Sequence, residues 1–302
     1  MLEEVKKTLG KWMKEEDIKE NEFMKNHTSF RVGGPAQLFL SIHSEETLTK
    51  VLPYLCENKI PYFILGNGSN VLVSDEGFRG VILYLEKEFS YIECQGNRLI
   101  AGASALLSKI ANKAKEESLT GLEFAAGIPG SIGGGTVMNA GAYGGELSQV
   151  ITEVRAMNQQ GQIVVLTKEQ LELGYRTSIF KKIPYLILEI TMSLSEGKEE
   201  DIKNKMMAYQ QARKEKQPLE YPSAGSTFKR PEGYFAGKLI MDAGLKGCQI
   251  GGAKVSEKHC GFVINTGEAT AKDIIQLMEK IQVTVKDTFG VDLEPEVIRL
   301  DK

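Results

Sequence analysis

The sequence predicts an α+β protein of more than one domain, and three observations carry that reading. Short β-rich runs and helical runs succeed one another along all 302 residues, no internal repeat interrupts them, and 42% of the residues are hydrophobic, enough for sizeable cores. After an amphipathic opening helix, "AQLFLSI", "SEETLTKVLPYLCENK" and "IPYFILG" read as strand, helix and strand. Ser44 is placed to cap that helix, with Glu45 and Glu46 in its first turn. From Val81 to Leu194 the pattern turns to β-rich runs, "GVILYL", "SYIEC", "RLIAGA", "EVRAMN", "GQIVVL" and "YLILEITMSL", around one helix near Leu106 to Glu117. The stretch "KEEDIKNKMMAYQQARKEKQP" has helical spacing and stops at Pro218. From about Tyr221 a last unit offers the helices "YFAGKLIMDAG" and "TAKDIIQLMEKIQVTVKDTFG" and a closing strand in "LEPEVIRL". The boundaries read this way are 1–80, 81–200 and 201–302.

Composition narrows the function classes. Formal net charge is −3 with both signs mixed along the chain, so there is no basic field for duplex nucleic acid or an anionic membrane. The opening "MLEEVKKTLGKWMKEEDIKENEF" is charged throughout, unlike a signal peptide, and no later run approaches a membrane span. A cytoplasmic protein, working as a monomer without nucleic acid or membrane, is expected. Cys56, Cys94, Cys248 and Cys260 stand singly, which suggests neither a metal cage nor a disulfide framework, and no metal site is expected.

The chemistry is written in glycine. "GIPGSIGGGTVMNAGAYGGE", residues 127–146, holds eight glycines in twenty positions and no charge before Glu146. Glycine lets backbone N–H groups approach anionic oxygens, so such a segment suits a nucleotide. Two familiar devices fail here. In "LGNGSNVLV" Gly66 and Gly68 fit a dinucleotide fingerprint, but Val71 stands where its third glycine belongs and the chain continues as a strand. In "GYFAGKL" only three residues separate Gly233 from Gly237, and Leu239 replaces the hydroxyl residue of a P-loop. What remains is a pair of glycine-rich segments without Lys or Arg in the second. That favours a dinucleotide pyrophosphate held by backbone N–H groups and by Ser69, Asn70, Ser131 and Asn139. A set of tight turns packing two elements closely is the competing reading.

Six segments in order, "HTSFRVGGPA" (27–36), "LGNGSNVLVSD" (65–75), "GLEFAAGIPGSIGGGTVMNAGAYGGE" (121–146), "GYRTSIF" (174–180), "SAGSTFKRP" (223–231) and "LEPEV" (293–297), resemble the successive motifs of the UDP-N-acetylenolpyruvoylglucosamine reductase family. The resemblance covers nearly the whole chain. It implies a vanillyl-alcohol-oxidase-type (PCMH-type) FAD-binding fold of two α/β subdomains, with FAD between them, and a C-terminal α+β substrate domain. It implies FAD contacts from Gly66, Asn67, Gly68, Ser69 and Asn70 in the first segment. In the second it implies Gly127, Ile128, Pro129, Gly130, Ser131, Gly133, Gly134, Asn139, Gly141 and Ala142. Neither glycine loop contains His or Cys, which agrees with noncovalent FAD. His27 is expected to shape the FAD pocket, and no histidine is given a chemical role.

The reaction the resemblance implies is a cytoplasmic step of peptidoglycan precursor synthesis. NADPH reduces FAD, and the reduced flavin passes hydride to the enolpyruvyl ether of UDP-N-acetylglucosamine, giving UDP-N-acetylmuramate. Ser226 in "AGSTF" matches the family's proton donor, Arg176 in "GYRTS" the arginine that polarises the substrate carboxylate, and Glu296 in "LEPEV" the acidic residue that orients the enolpyruvyl group or donates a proton toward its carboxylate. By themselves these three read as a surface charge, a turn serine and a strand-edge solvating group. Lys216 in "KQP" matches a lysine that meets the substrate's phosphates, and Lys229 and Tyr175 are further substrate candidates. Only a short span separates "GYRTSIF" from "YLILEI", leaving no room for the tyrosine-bearing loop of the longer family members, so the chain resembles the shorter type. Two rival functions stay open: another FAD-dependent oxidase or dehydrogenase of this fold, and a nucleotide-sugar-binding protein without turnover.

Overall fold

The computed structural model describes residues 2–301. Its first elements are helix α1 (Leu2–Leu9), strands β1 (Ile18–Phe23) and β2 (Pro35–Ile42), helix α2 (Glu45–Glu57) and strands β3 (Tyr62–Leu65), β4 (Val71–Val73) and β5 (Phe78–Leu85). Strands β6 (Ile92–Gln95) and β7 (Arg98–Gly102), helices α3 (Leu107–Glu116) and α4 (Ile132–Val137), and strands β8 (Ile151–Met157), β9 (Ile163–Thr167) and β10 (Leu186–Ser193) follow. The chain ends with helices α5 (Glu199–Lys216) and α6 (Ala236–Asp242), strands β11 (Ala253–Val255) and β12 (Val263–Asn265), helix α7 (Ala271–Phe289) and strand β13 (Ile298–Leu300).

Local chemistry explains the strongest elements. Ser44 Oγ accepts from Thr47 N at 3.2 Å, capping α2 where the sequence places its start, and Leu48, Val51, Leu52 and Leu55 bury one face of that helix. A reciprocal box between Thr270 and Asp273 opens α7, and Gly290, at φ +69°, closes it. Between these caps Ile274, Leu277, Met278, Ile281 and Val285 recur at helical spacing and are buried. Strands β3 and β5 pair in parallel from Tyr62 opposite Val81 to Leu65 opposite Tyr84, in a sheet ordered β1-β2-β5-β3. A second sheet, ordered β9-β8-β10-β7-β6, is antiparallel throughout. The fold is thus mixed α and β, as the patterns predict.

The helix α4 departs from those patterns, which place one helix in this region. Its sequence, "IGGGTV", has three consecutive glycines, each worth roughly 1 kcal/mol less than alanine in a helix. Tertiary packing overrides that propensity: Ile132 N and Gly133 N donate to Ala105 O and Ala103 O just beyond β7, both at 2.8 Å.

Packing divides the chain into two compact units. The first takes the residues up to 20, with 38–67 and 80–211; the second takes 21–37, 68–79 and the residues from 212 onward. In the first unit the core joins Leu48, Leu52 and Leu55 of α2 to Ile110 and Ala114 of α3 and to Val154, Ile190 and Met192 of the antiparallel sheet. In the second unit the core is built around α7, with Phe30, Leu72, Phe228, Ile240, Val255 and Val263 against it. There β13 pairs in parallel with β4, from Ile298 opposite Val71 to Leu300 opposite Val73. Asp75, just after β4, accepts from Ala271 N at 2.8 Å and Lys272 N at 2.9 Å, a carboxylate set on the positive end of α7.

Candidate active site

In the first unit the two glycine-rich segments meet. A Cβ at Gly66 would lie 2.6 Å from Ser131 Oγ, and Asn67 Nδ2 donates to Pro129 O at 2.6 Å. Around this junction Asn67, Pro129 and Gly134 are exposed and Gly66, Gly127 and Ile128 half-buried, so none of these residues brings a charged side chain to its surface. Gly134 has room for a side chain, with only Ser131 Oγ nearby at 3.4 Å. Its neighbours do not. A Cβ at Gly133 would stand 2.9 Å from both the carbonyl oxygen and the Cβ of Ala103, and one at Gly135 3.1 Å from Leu107 and Leu147 side-chain carbons. Gly130 is buried with its carbonyl accepting from Leu107 N at 3.0 Å. Gly141 and Ala142 pair with Glu146 and Gly145 in a tiny hairpin. The segment therefore serves both readings of its glycines: Gly133 and Gly135 pack elements, while Gly134 faces outward.

Arg176 lies in the same unit, on a two-residue turn. Gly174 N and Thr177 N each donate to the other's carbonyl oxygen, at 3.1 and 3.2 Å, and between them Tyr175 and Arg176 form the tip. Arg176 has φ +54°, the left-handed region that costs a side-chain-bearing residue roughly 1–2 kcal/mol. Its guanidinium stacks over the Tyr175 ring at 5.1 Å and donates through Nη2 to Gly141 O at 3.4 Å. The glycine-rich segment holds the base of this turn as well, since Asn139 Nδ2 donates to Gly174 O at 3.1 Å and Ser178 Oγ to Val137 O at 2.7 Å. Only residues 182–185 join the following short turn to β10, which agrees with the shorter family type.

The second unit brings Ser226 and Glu296 together. Residues 227–229 run antiparallel to 294–296: Glu296 N donates to Thr227 O at 2.9 Å, Phe228 bridges Pro295, and Lys229 N donates to Glu294 O at 2.8 Å. Ser226 itself is exposed and follows Gly225, at φ +72°. Thr227 pins this loop, its buried hydroxyl accepting from Val263 N at 2.9 Å. Nothing in "AGSTF" separates Thr227 from its neighbours, so the sequence alone did not reveal that role. Asn70 fastens the other side, donating through Nδ2 to Glu296 O at 3.0 Å and accepting from Ile298 N at 3.0 Å through its carbonyl. Gly68 must be glycine, because at φ +61° a Cβ would sit 1.8 Å from His27 O. Ser69 beside it is half-buried, and His27 bonds Glu22 through Nε2 at 2.8 Å. Of the two lysines, Lys216 is exposed at the end of α5, and Lys229 forms an ion pair with Glu294.

This arrangement can be set beside known proteins. Residues 36–167 match the FAD binding domain family, and residues 217–300 match the UDP-N-acetylenolpyruvoylglucosamine reductase C-terminal domain. A UDP-N-acetylenolpyruvoylglucosamine reductase of Clostridium novyi (strain NT) is 53% identical over 97% of this chain and 95% of its own length. The chain belongs to the UDP-N-acetylenolpyruvoylglucosamine reductase family. The reductase of Lachnoclostridium phytofermentans is 54% identical over 92% of this chain and 91% of that protein. The crystal structure of the Thermus caldophilus reductase, 35% identical, superimposes with a TM-score of 0.81 over 93% of this chain and 98% of that one. As a member of the reductase family with an FAD binding domain, the chain is an FAD-dependent oxidoreductase of mixed α and β fold. The bare junction of Gly66, Asn67, Pro129 and Gly134 fits that cofactor, since it lets a pyrophosphate approach the backbone without meeting a side-chain charge. Among the described residues no helix is long and apolar enough to cross a membrane, and no group of His, Cys, Asp and Glu is placed to hold a metal ion.

Proposed function

We propose that this chain catalyses the NADPH-dependent reduction of the enolpyruvyl ether of UDP-N-acetylglucosamine to UDP-N-acetylmuramate, with Arg176, Ser226 and Glu296 as its catalytic residues. The observation that supports the residue assignment is the backbone pairing of segments 227–229 and 294–296, which joins the loop that carries Ser226 to the segment that carries Glu296. FAD bound along the Gly66–Asn67 and Gly127–Gly134 segments would supply the hydride chemistry that links NADPH to the enolpyruvyl group. The residues of this chain answer for the rest. Reduction of the enolpyruvyl group builds negative charge on the carbon beside the carboxylate, so the transition state calls for positive charge at the carboxylate oxygens and a proton at that carbon. Arg176 meets the first need with a permanently charged planar fork whose backbone is already committed to one geometry. Ser226 meets the second, for a carbon with enolate character is basic enough to take a hydroxyl proton when the geometry is fixed. Glu296 orients the enolpyruvyl group.

The flavin is held by Gly66 to Asn70 and by the segment from Gly127 to Gly134, with Gly141 and Ala142 beside it. Lys216, Lys229 and Tyr175 contact the nucleotide sugar, Lys229 exchanging its Glu294 partner for phosphate. The division 1–80, 81–200 and 201–302 then separates two flavin subdomains from a substrate domain, and the protein works as a cytoplasmic monomer, where NADPH and nucleotide sugars are found.

The trio is tested by following the two half-reactions of the holoenzyme separately. Ser226→Ala is expected to leave flavin bleaching by NADPH near the wild-type rate while slowing its return on addition of the enolpyruvyl substrate, by roughly a hundredfold or more. Equal slowing of both half-reactions would remove Ser226 from the role of proton donor.

A further inference from the structure

Asn139 sits where a glycine is the usual choice. It follows α4 at φ +45°, with Asn139 N donating to Thr136 O at 3.2 Å and Ala140 N to Gly135 O at 2.8 Å, the two bonds of a Schellman cap. Glycine would close this helix without strain, so the backbone alone gives no reason for an asparagine. The side chain supplies one. It is fully buried, and both ends of its amide are engaged: Oδ1 accepts from Ser148 N at 2.8 Å, and Nδ2 donates to Gly174 O at 3.1 Å. Gly174 O is also the carbonyl that closes the Arg176 turn, accepting from Thr177 N. Two residues on, Gly141 O accepts from Arg176 Nη2. The chain leaving α4 thus grips the turn at its base and the guanidinium at its tip.

We propose that Asn139 is a positioning residue for Arg176, holding the strained turn that carries the guanidinium, and that it acts through that turn and not as a ligand of the flavin. The inference rests on the reading of Arg176 as the residue that meets the substrate carboxylate. A left-handed arginine relaxes toward ordinary backbone angles unless its surroundings fix it; Ser178 ties the turn to Val137 from one side, and Asn139 is the buried side chain that holds Gly174 O, the carbonyl that closes the turn. Loss of that tie displaces the guanidinium by a fraction of its reach, which is enough to slow a step that depends on near-attack geometry.

The test uses the holoenzyme, NADPH and the enolpyruvyl nucleotide sugar. Asn139→Gly removes the side chain while keeping the left-handed backbone comfortable. Asn139→Asp keeps the acceptor for Ser148 N but turns an oxygen toward Gly174 O, and it serves if the glycine variant does not fold. Both are expected to retain flavin at the wild-type ratio and to bleach normally with NADPH, while flavin return on substrate slows about tenfold or more. In an Arg176→Ala background, Asn139→Gly should add no further slowing. Loss of flavin with an unchanged return rate would overturn the proposal and make Asn139 a flavin ligand. So would a full additional slowing in the Arg176→Ala background, which would show action independent of the arginine. If Arg176→Ala itself leaves the return rate unchanged, the reading of Arg176 fails, a result the single Asn139 variants cannot produce.

Discussion

Glu123 is a buried carboxylate, its side chain only 3% exposed, immediately before the glycine-rich segment. Burial pushes its pKa up, but hydrogen bonds from Thr120 Oγ1 and from the backbone N–H groups of Glu123 and Gly121, with Lys205 Nζ at 3.5 Å, outweigh burial and hold it below the usual carboxylate range. A depressed folded-state pKa contributes stability that is present above the unfolded value of about 4.3 and is lost as pH falls through the folded value. Glu123→Gln should therefore destabilise the protein at pH 7 by about 2 kcal/mol, with the gap to wild type shrinking in denaturant melts below about pH 4. An equal gap at pH 7 and pH 3 would show that the charge does not matter. At this scale the sequence is legible for residue type and silent on partners. Ser226, Arg176 and Glu296 could be singled out only through their motifs. That Asn70 bonds Glu296 O and Asn139 bonds Gly174 O depends on chain segments far apart in sequence, which no local pattern encodes.

Among the elements, α2 and α7 could be read directly because cap, periodicity and burial agree. Helix α4 could not, since its glycines argue against a helix, and the docking of its first turn on the residues after β7, with Ser131 capping one end and Asn139 the other, makes one. The closing strand was legible in "LEPEVIRL", but only Ile298–Leu300 pairs, because the residues before it are spent on the loop of Ser226. The consecutive glycines of α4 also separate packing from binding. Gly133→Ala forces backbone movement against Ala103 and should lower the thermal midpoint, by roughly 1–3 kcal/mol of stability. Gly134→Ala has room and should leave the midpoint unchanged or slightly raised while the purified protein retains less flavin. Melting curves and flavin-to-protein ratios on the two variants check this. Identical behaviour of the pair would mean that the exposed glycine has no part in holding the cofactor.

For the molecule as a whole, the family was legible because six motifs occur in order along nearly the entire chain, and identity to the Clostridium novyi reductase extends over 97% of it. The packing into two units was not legible. Segments 21–37 and 68–79 join the C-terminal segment through contacts such as β4 with β13 and Asp75 with α7, and pairing across such distances leaves no trace in periodicity or composition. In the proposed reaction one protein binds FAD, takes electrons from NADPH and delivers them to the enolpyruvyl nucleotide sugar. An anaerobic visible spectrum tests it most directly, taken on the purified protein, again after NADPH, and again after that sugar. A flavin band that bleaches with NADPH and returns with the substrate is expected; a band that bleaches and stays down would rule out the substrate, and no flavin band even after adding FAD would rule out the cofactor.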